Sequence, residues 1–140
     1  MRFMVIVPAN KQSEAGVLPS EQELAEMGQF NEELMKAGVL LAGEGLHASA
    51  KGARIQFSAG ATTVSDGPFT ESNLIAGFWL IRAKSMAEAV ELMRRAPFGE
   101  GVVLEIRQVF DIDDFGPALT PELRAQEERL RAQSEASATR

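Results

Sequence analysis

The sequence contains no cysteine and is poor in positive charge. Without cysteine the chain cannot form a disulfide, a thiolate nucleophile or a cysteine-based zinc site. Its 14 Lys and Arg residues stand against 20 Asp and Glu residues, which gives a formal net charge of −6. The longest basic run is the pair Arg94-Arg95. Because nucleic-acid binding requires clustered positive charge, we expect no DNA or RNA partner.

Long hydrophobic runs are missing as well. The N-terminal run, residues 3–7, ends at Pro8 and is too short for a secretory signal. No other run approaches the roughly 20 residues that span a membrane. We therefore expect a cytoplasmic protein without a membrane partner. Its 140 residues, 45% of them hydrophobic, suffice for one core and not for two ordinary domains.

Apolar periodicity and capping motifs divide the chain into strands and helices. Ser20 and Glu23 form a Ser-x-x-Glu capping box before the first helix, which Gly38 ends. Ser85 and Glu88 form a second box before the next helix. The predicted strands are 3–7, 39–42, 53–57, 61–65, 74–81 and 102–110, and the predicted helices of the domain are 21–37 and 86–96.

The order of these elements predicts an α+β fold, a split β-α-β arrangement with an inserted β-hairpin. The most apolar strand, 74–81, carries the only tryptophan, Trp79, so we expect it to be central and its indole N–H to be hydrogen-bonded. Both helices pack on one face of such a sheet. A second copy of the chain is the simplest cover for the other face, which predicts a homodimer.

The chain changes character after Gly116-Pro117. We divide it into a domain, residues 1–116, and a C-terminal helical extension, residues 117–140. The extension is rich in Glu, Arg, Gln and Ala and has few large apolar residues, so we expect it to be weakly anchored. Residues 134–140 are expected to be disordered or held only by a neighbour.

The strongest candidate for chemistry is the run Asp-Gly-Pro-Phe-Thr-Glu at residues 66–71. It presents the carboxylates of Asp66 and Glu71 around a Gly-Pro pair that fixes the backbone path. A structural interpretation stays open, because the Asp66 carboxylate can accept hydrogen bonds from turn amides. Glu71 can likewise be a solvated loop residue.

Short motifs follow one another in a distinctive order along the chain. They are Gly43-Glu44-Gly45-Leu46, Asp66-Gly67-Pro68-Phe69 with Glu71, Gly77-Phe78-Trp79-Leu80-Ile81 and Glu105-Ile106-Arg107. In this order they resemble the YCII-related family, in its DGPF-domain branch, across residues 1–112. The resemblance implies a ferredoxin-like fold that pairs into a dimeric α+β barrel, with a cleft in each subunit near the dimer interface.

The resemblance implies less about activity. Most members of the family have no assigned reaction, and a few relatives are lyases or dehydrochlorinases of aromatic degradation. DGPF members often occur beside extracytoplasmic-function sigma factors. The shorter YCII branch carries a proposed acid/base dyad, a histidine in the first helix and an aspartate after the second strand. The first helix predicted here, 21–37, contains no histidine, so that dyad has no counterpart in it.

His47 is the only histidine, and imidazole is the side chain best suited to proton transfer near neutral pH. It follows the Gly-Glu-Gly bend at 43–45, at the opposite end of the hairpin from Asp66. If the two ends meet, Asp66 would orient the imidazole and His47 would abstract a proton from a small substrate. The alternative is a solvent-facing or hydrogen-bonded histidine at the end of a strand.

Further ligand-binding candidates flank these two residues. Glu44 lies between two glycines, Arg54 could hold a substrate carboxylate, and Phe69 is the ring that the loop would present to a ligand. For Arg54 a surface ion pair with a neighbouring glutamate is the alternative. One histidine with a few carboxylates is too small a set for a zinc or iron site, and no nucleotide fingerprint is present. We predict neither a metal nor a cofactor.

These observations predict a small organic ligand, bound in a cleft near the dimer interface. Acid/base chemistry of a lyase or isomerase type through His47 and Asp66 is one function. The alternative is a non-catalytic ligand-binding or regulatory module, working with a sigma factor through the charged C-terminal helix.

Overall fold

A computed structural model of the chain describes residues 1–138. The strands are β1 Arg2–Pro8, β2 Leu40–Gly45, β3 Ala53–Ser58, β4 Ala61–Asp66, β5 Ile75–Arg82 and β6 Glu105–Gln108. The helices are α1 Lys11–Glu14, α2 Glu21–Lys36, α3 Met86–Met93 and α4 Pro121–Ala138, with 3-10 turns at Ser49–Lys51 and Ile112–Ala118.

The main sheet has four antiparallel strands in the order β2-β5-β1-β6, and β3 and β4 form a separate two-stranded sheet. This order, with α2 after β1 and α3 after β5, confirms the α+β, ferredoxin-like fold with an inserted β-hairpin. Trp79 of β5 pairs with Val5 of β1 on one side and with Gly43 of β2 on the other. The strand that carries the tryptophan is therefore central, as predicted.

The core lies on one face of the sheet, where α2 and α3 pack. Side chains alternate along a strand, so Phe3, Val5, Trp79 and Ile81 share this face, and all four are buried. The helices add their own buried residues, which are Phe30, Leu34, Ala89 and Met93. These side chains form one continuous apolar cluster, which accounts for the position of both helices.

The two predicted capping boxes differ in the structure. At α2 both hydrogen bonds form, from the Glu23 N–H to the Ser20 hydroxyl at 3.1 Å and from the Ser20 N–H to the Glu23 carboxylate at 3.3 Å. At α3 the Glu88 N–H donates to the Ser85 hydroxyl at 3.1 Å. Within residues 1–138 no return bond from Ser85 N–H to Glu88 accompanies it, so that box is half-formed.

Two elements differ from the sequence prediction. Between the predicted strand 3–7 and the predicted helix 21–37, where the sequence predicted no element, lies α1, which is capped by reciprocal hydrogen bonds between Asn10 and Ser13. The last strand, predicted over 102–110, is β6 and spans Glu105–Gln108 only. As an edge strand β6 pairs only with Phe3–Ile6 of β1, and it ends where that pairing ends.

The second face of the main sheet is apolar and less well covered. Met4, Ile6, Phe78 and Leu80 project there, because each alternates with a core residue. All four are half-buried, whereas their neighbours on the first face are buried. The domain thus has one complete core and a second apolar surface.

The C-terminal segment forms a compact unit of its own, which begins at Val109, and the division of the chain at residue 116 stays a prediction. Inside it Arg124 donates to Asp113 at 2.7 Å, and the Phe110 and Phe115 rings stack at 5.1 Å. Helix α4 continues through Ala138. The expectation that residues 134–138 are disordered or held only by a neighbour stays a prediction.

The rest of the disorder prediction concerns residues 139 and 140, which lie outside the described part of the chain. In residues 1–138 no helix combines the length and the apolar character needed to cross a membrane.

Candidate functional site

A cleft of about 210 Å³ opens between α2 and the paired ends of β2 and β5. Apolar and aromatic groups dominate its lining, and one carboxamide interrupts them. The lining residues are Val7, Met27, Asn31, Gly43, Glu44, Gly45, Ala76, Gly77, Phe78, Trp79 and Phe98. The cleft therefore combines apolar walls with a single fixed polar group, a common composition of small-molecule sites.

Three glycines line the cleft, two because of close packing and one at the edge of open space. Gly43 pairs with Trp79, and Gly45 pairs with Gly77, so all three glycines lie on the core face of the sheet. A Cβ on Gly43 would lie 2.9 Å from Trp79 Cδ1, and one on Gly77 would lie 2.8 Å from the Glu44 carbonyl oxygen. A Cβ on Gly45 would have no atom within 4 Å, so Gly45 borders the open space.

Trp79 forms the inner wall of the cleft. Its ring packs edge-on against Phe30, with centroids 5.7 Å apart, and against Phe98, with centroids 6.0 Å apart. The indole N–H donates to Asn31 Oδ1 at 2.8 Å, so the predicted need for a hydrogen-bond partner is confirmed. Because an indole N–H can only donate, this bond fixes which end of the Asn31 carboxamide faces Trp79.

Among the predicted ligand-binding residues, Glu44 alone borders this cleft. It lies between Gly43 and Gly45 in β2, so its side chain projects to the opposite sheet face, beside Phe78. Its backbone is what adjoins the glycines. A ligand-binding role for the Glu44 carboxylate stays a prediction.

The Asp-Gly-Pro-Phe loop is held against the segment that follows β2. The Ser49 N–H donates to the Glu14 carboxylate at 2.9 Å, and the Ser49 hydroxyl donates to the same group. The Ser49 Oγ in turn accepts from the Phe69 N–H at 2.9 Å, and the Gly67 N–H donates to the Gly52 carbonyl at 2.9 Å. The two ends of the hairpin therefore meet, through Ser49 and not through His47.

The close approach of the loop to Ser49 requires a glycine at position 67. A Cβ on Gly67 would lie 1.7 Å from the Ser49 carbonyl oxygen, so no other residue fits there. The Gly67–Pro68 peptide bond is cis.

The hydrogen bonds from the Ser49 hydroxyl and N–H lower the pKa of Glu14, because they stabilise its charged form.

Arg54, Phe69 and Glu71 bind one another in the structure. Two nitrogens of the Arg54 guanidinium donate to the two Glu71 carboxylate oxygens at 2.7 and 3.0 Å. The guanidinium carbon lies 3.8 Å from the Phe69 ring centroid. The hydrogen bonds from Arg54 lower the pKa of Glu71 from 4.5 to about 2. The ion pair that sequence reasoning left open for Arg54 is therefore present, with Glu71 as its partner.

His47 and Asp66 are both exposed. Across residues 1–138 no hydrogen bond or ion pair joins the two side chains, and neither residue lines the cleft. Their catalytic assignment stays a prediction. In the same part of the chain no group of three or more His, Asp or Glu residues is placed to hold a metal ion.

Comparison with protein families settles the relationship of the chain. A model of the YCII-related domain matches residues 1–113. The chain belongs to the YCII-related family. The match extends over nearly the same residues as the sequence resemblance, and the DGPF branch stays a prediction.

Known proteins add little else about this YCII-related chain. No curated protein matches its sequence at a significant level. Among solved structures it is similar to 5-chloro-2-hydroxyhydroquinone dehydrochlorinase from Burkholderia phenoliruptrix, in complex with 2,5-dihydroxybenzoquinone. The sequences are 14% identical, the match covers 79% of this chain and 96% of that chain, and the TM-score is 0.40.

Sequence reasoning missed three residues that organise this YCII-related domain, which are Glu14, Ser49 and Asn31. Asn31 had a usable signal, because it follows Phe30 and lies four positions after Met27 on the apolar face of α2. A polar residue there could have been matched to the indole of Trp79. No local pattern in the sequence points to Glu14 and Ser49, because these two residues are 35 positions apart in the chain.

We predict that Ser49→Ala lowers the free energy of unfolding by about 1–3 kcal/mol, because it removes the hydroxyl donor to the Glu14 carboxylate and leaves the Phe69 N–H without its acceptor. Urea denaturation measures the change. Ser72→Ala, an exposed serine in the next loop, is the matched control and should change it by less than about 0.5 kcal/mol. Equal losses in both variants would contradict the role of Ser49.

We predict that Glu71 titrates near pH 2 in an NMR pH titration and that its pKa returns toward 4.5 in Arg54→Gln. Arg107→Gln, which removes a different exposed arginine, should leave the Glu71 pKa unchanged. Since the folded-state pKa is lowered, the ion pair stabilises the fold above pH 4.5 and loses its effect as the pH falls toward about 2. A Glu71 pKa that is the same in the parent and in Arg54→Gln would contradict this account.

Proposed function

We propose that this YCII-related protein binds a small organic molecule in the cleft between α2 and the glycines of β2 and β5. The observation that carries the proposal is the geometry of that cleft, where Gly45 borders open space and Trp79 fixes Asn31 at the wall. An engineered apolar cavity of about 150 Å³ binds benzene. A cleft of about 210 Å³ accommodates a single ring with a few substituents.

Acid/base chemistry of a lyase or isomerase type is the finer part of this proposal. His47 lies two residues beyond Gly45, a distance of about 7 Å along an extended chain. Imidazole is the side chain best suited to moving a proton near neutral pH, and Asp66 would be its orienting carboxylate. We also propose, from the sequence motifs, that the chain belongs to the DGPF branch of the family.

Binding without catalysis is the second candidate function. It is favoured by the positions of His47 and Asp66, neither of which lines the cleft, because a general base has to lie within hydrogen-bond reach of the proton it abstracts. A ligand-binding module would need only the cleft. A sigma-factor partner for the charged helix α4 stays a prediction.

A second copy of the chain is proposed as the partner of the domain. The support is the apolar second face of the sheet, where Met4, Ile6, Phe78 and Leu80 are half-buried. Exposed apolar surface of this kind is favourable to bury, and a sheet face pairs well with its own symmetry mate.

Light scattering at micromolar concentration tests the dimer. The expected mass is twice the 15.2 kDa of the chain, falling to the monomer mass in Leu80→Glu, which places a charge on the second face. A parent protein that stays at the single-chain mass would exclude the dimer.

We predict that at least one single-ring compound, from a set of benzene derivatives with neutral, anionic or cationic substituents, shifts the Trp79 indole resonance. Trp79 is the only tryptophan, so its indole ¹⁵N–¹H signal reports on the cleft alone. Gly45→Val should weaken this binding at least about tenfold, because the new side chain enters the open space without a clash in the fold.

Gly28→Val is the matched control, since a Cβ on Gly28 also has no atom within 4 Å and Gly28 does not line the cleft. It should leave the affinity unchanged. Binding that survives in Gly45→Val, or no binding by any compound of the set, would refute the proposed site.

A further inference from the structure

We propose that the Asn31 carboxamide determines the specificity of the cleft and selects an uncharged molecule that presents a hydrogen-bond-accepting oxygen. This inference rests on the proposed function, because it assumes that the cleft binds a ligand. It adds the chemical class of that ligand and the group that recognises it.

The first step is the orientation of the carboxamide. The indole N–H of Trp79 donates to Asn31 Oδ1 at 2.8 Å, and an indole has no acceptor to offer an amide NH₂ group. The oxygen of Asn31 is therefore committed to Trp79, and the amide cannot turn around without leaving the indole unpaired. The bond to Trp79 therefore fixes the orientation of the carboxamide, with Nδ2 turned away from the indole N–H.

The second step is the unused capacity of that end. An amide NH₂ group carries two donors, and within residues 1–138 no acceptor is bonded to Asn31 Nδ2. Asn31 is half-buried and lines the cleft. A ligand in the cleft therefore meets a donor, and a ligand atom that accepts a hydrogen bond satisfies it.

The lining of the cleft disfavours a charged ligand. None of the residues that line the cleft is Lys, Arg or His, so an anion would lose its hydration without gaining a counterion, which is costly. A cation would meet the Asn31 NH₂ donor, since the amide oxygen is turned toward the Trp79 indole. Glu44 is the one ionisable residue of the lining, and its side chain projects to the other sheet face. An uncharged acceptor is the ligand that this arrangement fits.

The variant Asn31→Asp separates the two ends of the group. It keeps an oxygen for the Trp79 indole and replaces the NH₂ donor by a carboxylate oxygen of nearly the same shape. The cleft should then reject acceptors and attract a cation. Asn73→Asp makes the same charge change at an exposed loop position outside the cleft and is the matched control.

The experiment compares benzamide, benzoate and benzamidinium, which share a ring and a planar substituent and differ in charge. The Trp79 indole resonance follows each titration. In the parent protein we expect benzamide to bind at least about tenfold more tightly than either ion, because only benzamide gives the donor an acceptor without a desolvated charge. In Asn31→Asp we expect benzamide to weaken about tenfold and benzamidinium to become the tightest ligand, whereas Asn73→Asp keeps the parent order.

Tighter binding of benzoate or benzamidinium to the parent protein, or equal binding of all three, would overturn this inference. If the ions or all three compounds bind the parent protein and this binding is lost in Gly45→Val, the cleft is still the binding site, and only the proposed specificity is wrong. Binding of none of the three overturns the inference, and the proposed function falls only if the wider set of single-ring compounds fails as well. The order of affinities in the parent protein decides the matter even if Asn31→Asp does not fold.

Discussion

The hydrogen bond between the Trp79 indole and the Asn31 carboxamide is the interaction on which this structure depends most. A buried indole N–H without an acceptor is costly, and the acceptor comes from α2, which the bond ties to the central strand β5. The same ring packs against Phe30 and Phe98 and requires a glycine at position 43. One residue thus organises the core, the position of α2 and the wall of the cleft.

The Asp-Gly-Pro-Phe loop has a different part in the molecule. It is one of the four motifs by which the sequence resembles its family, and the Gly67 N–H, the Phe69 N–H and the nearby Glu71 carboxylate are bonded to neighbouring protein groups. Arg54 and Glu71 neutralise each other over Phe69, and Ser49 joins Phe69 to Glu14. These contacts hold the hairpin to the domain, and the cleft lies elsewhere, beside α2.

Local patterns in the sequence predict most of the fold, because a buried helix face or strand has a characteristic apolar periodicity and a helix start has a capping motif. The periodicity of α2, its Ser20–Glu23 box and the apolar run around Trp79 give the order of elements, and the order gives the ferredoxin-like sheet. The cleft could not be predicted in this way. It depends on the pairing of Gly45 with Gly77 and on a bond between residues 48 positions apart, which only the strand register and helix packing bring together.

A crystal structure of the parent protein soaked with benzamide shows whether a ligand enters the cleft and contacts Asn31. The account predicts density for the ring between Trp79 and Gly45, with the carbonyl oxygen about 2.7–3.2 Å from Asn31 Nδ2. Density at the loop of residues 66–71, against Arg54, with an empty cleft beside α2, would contradict it.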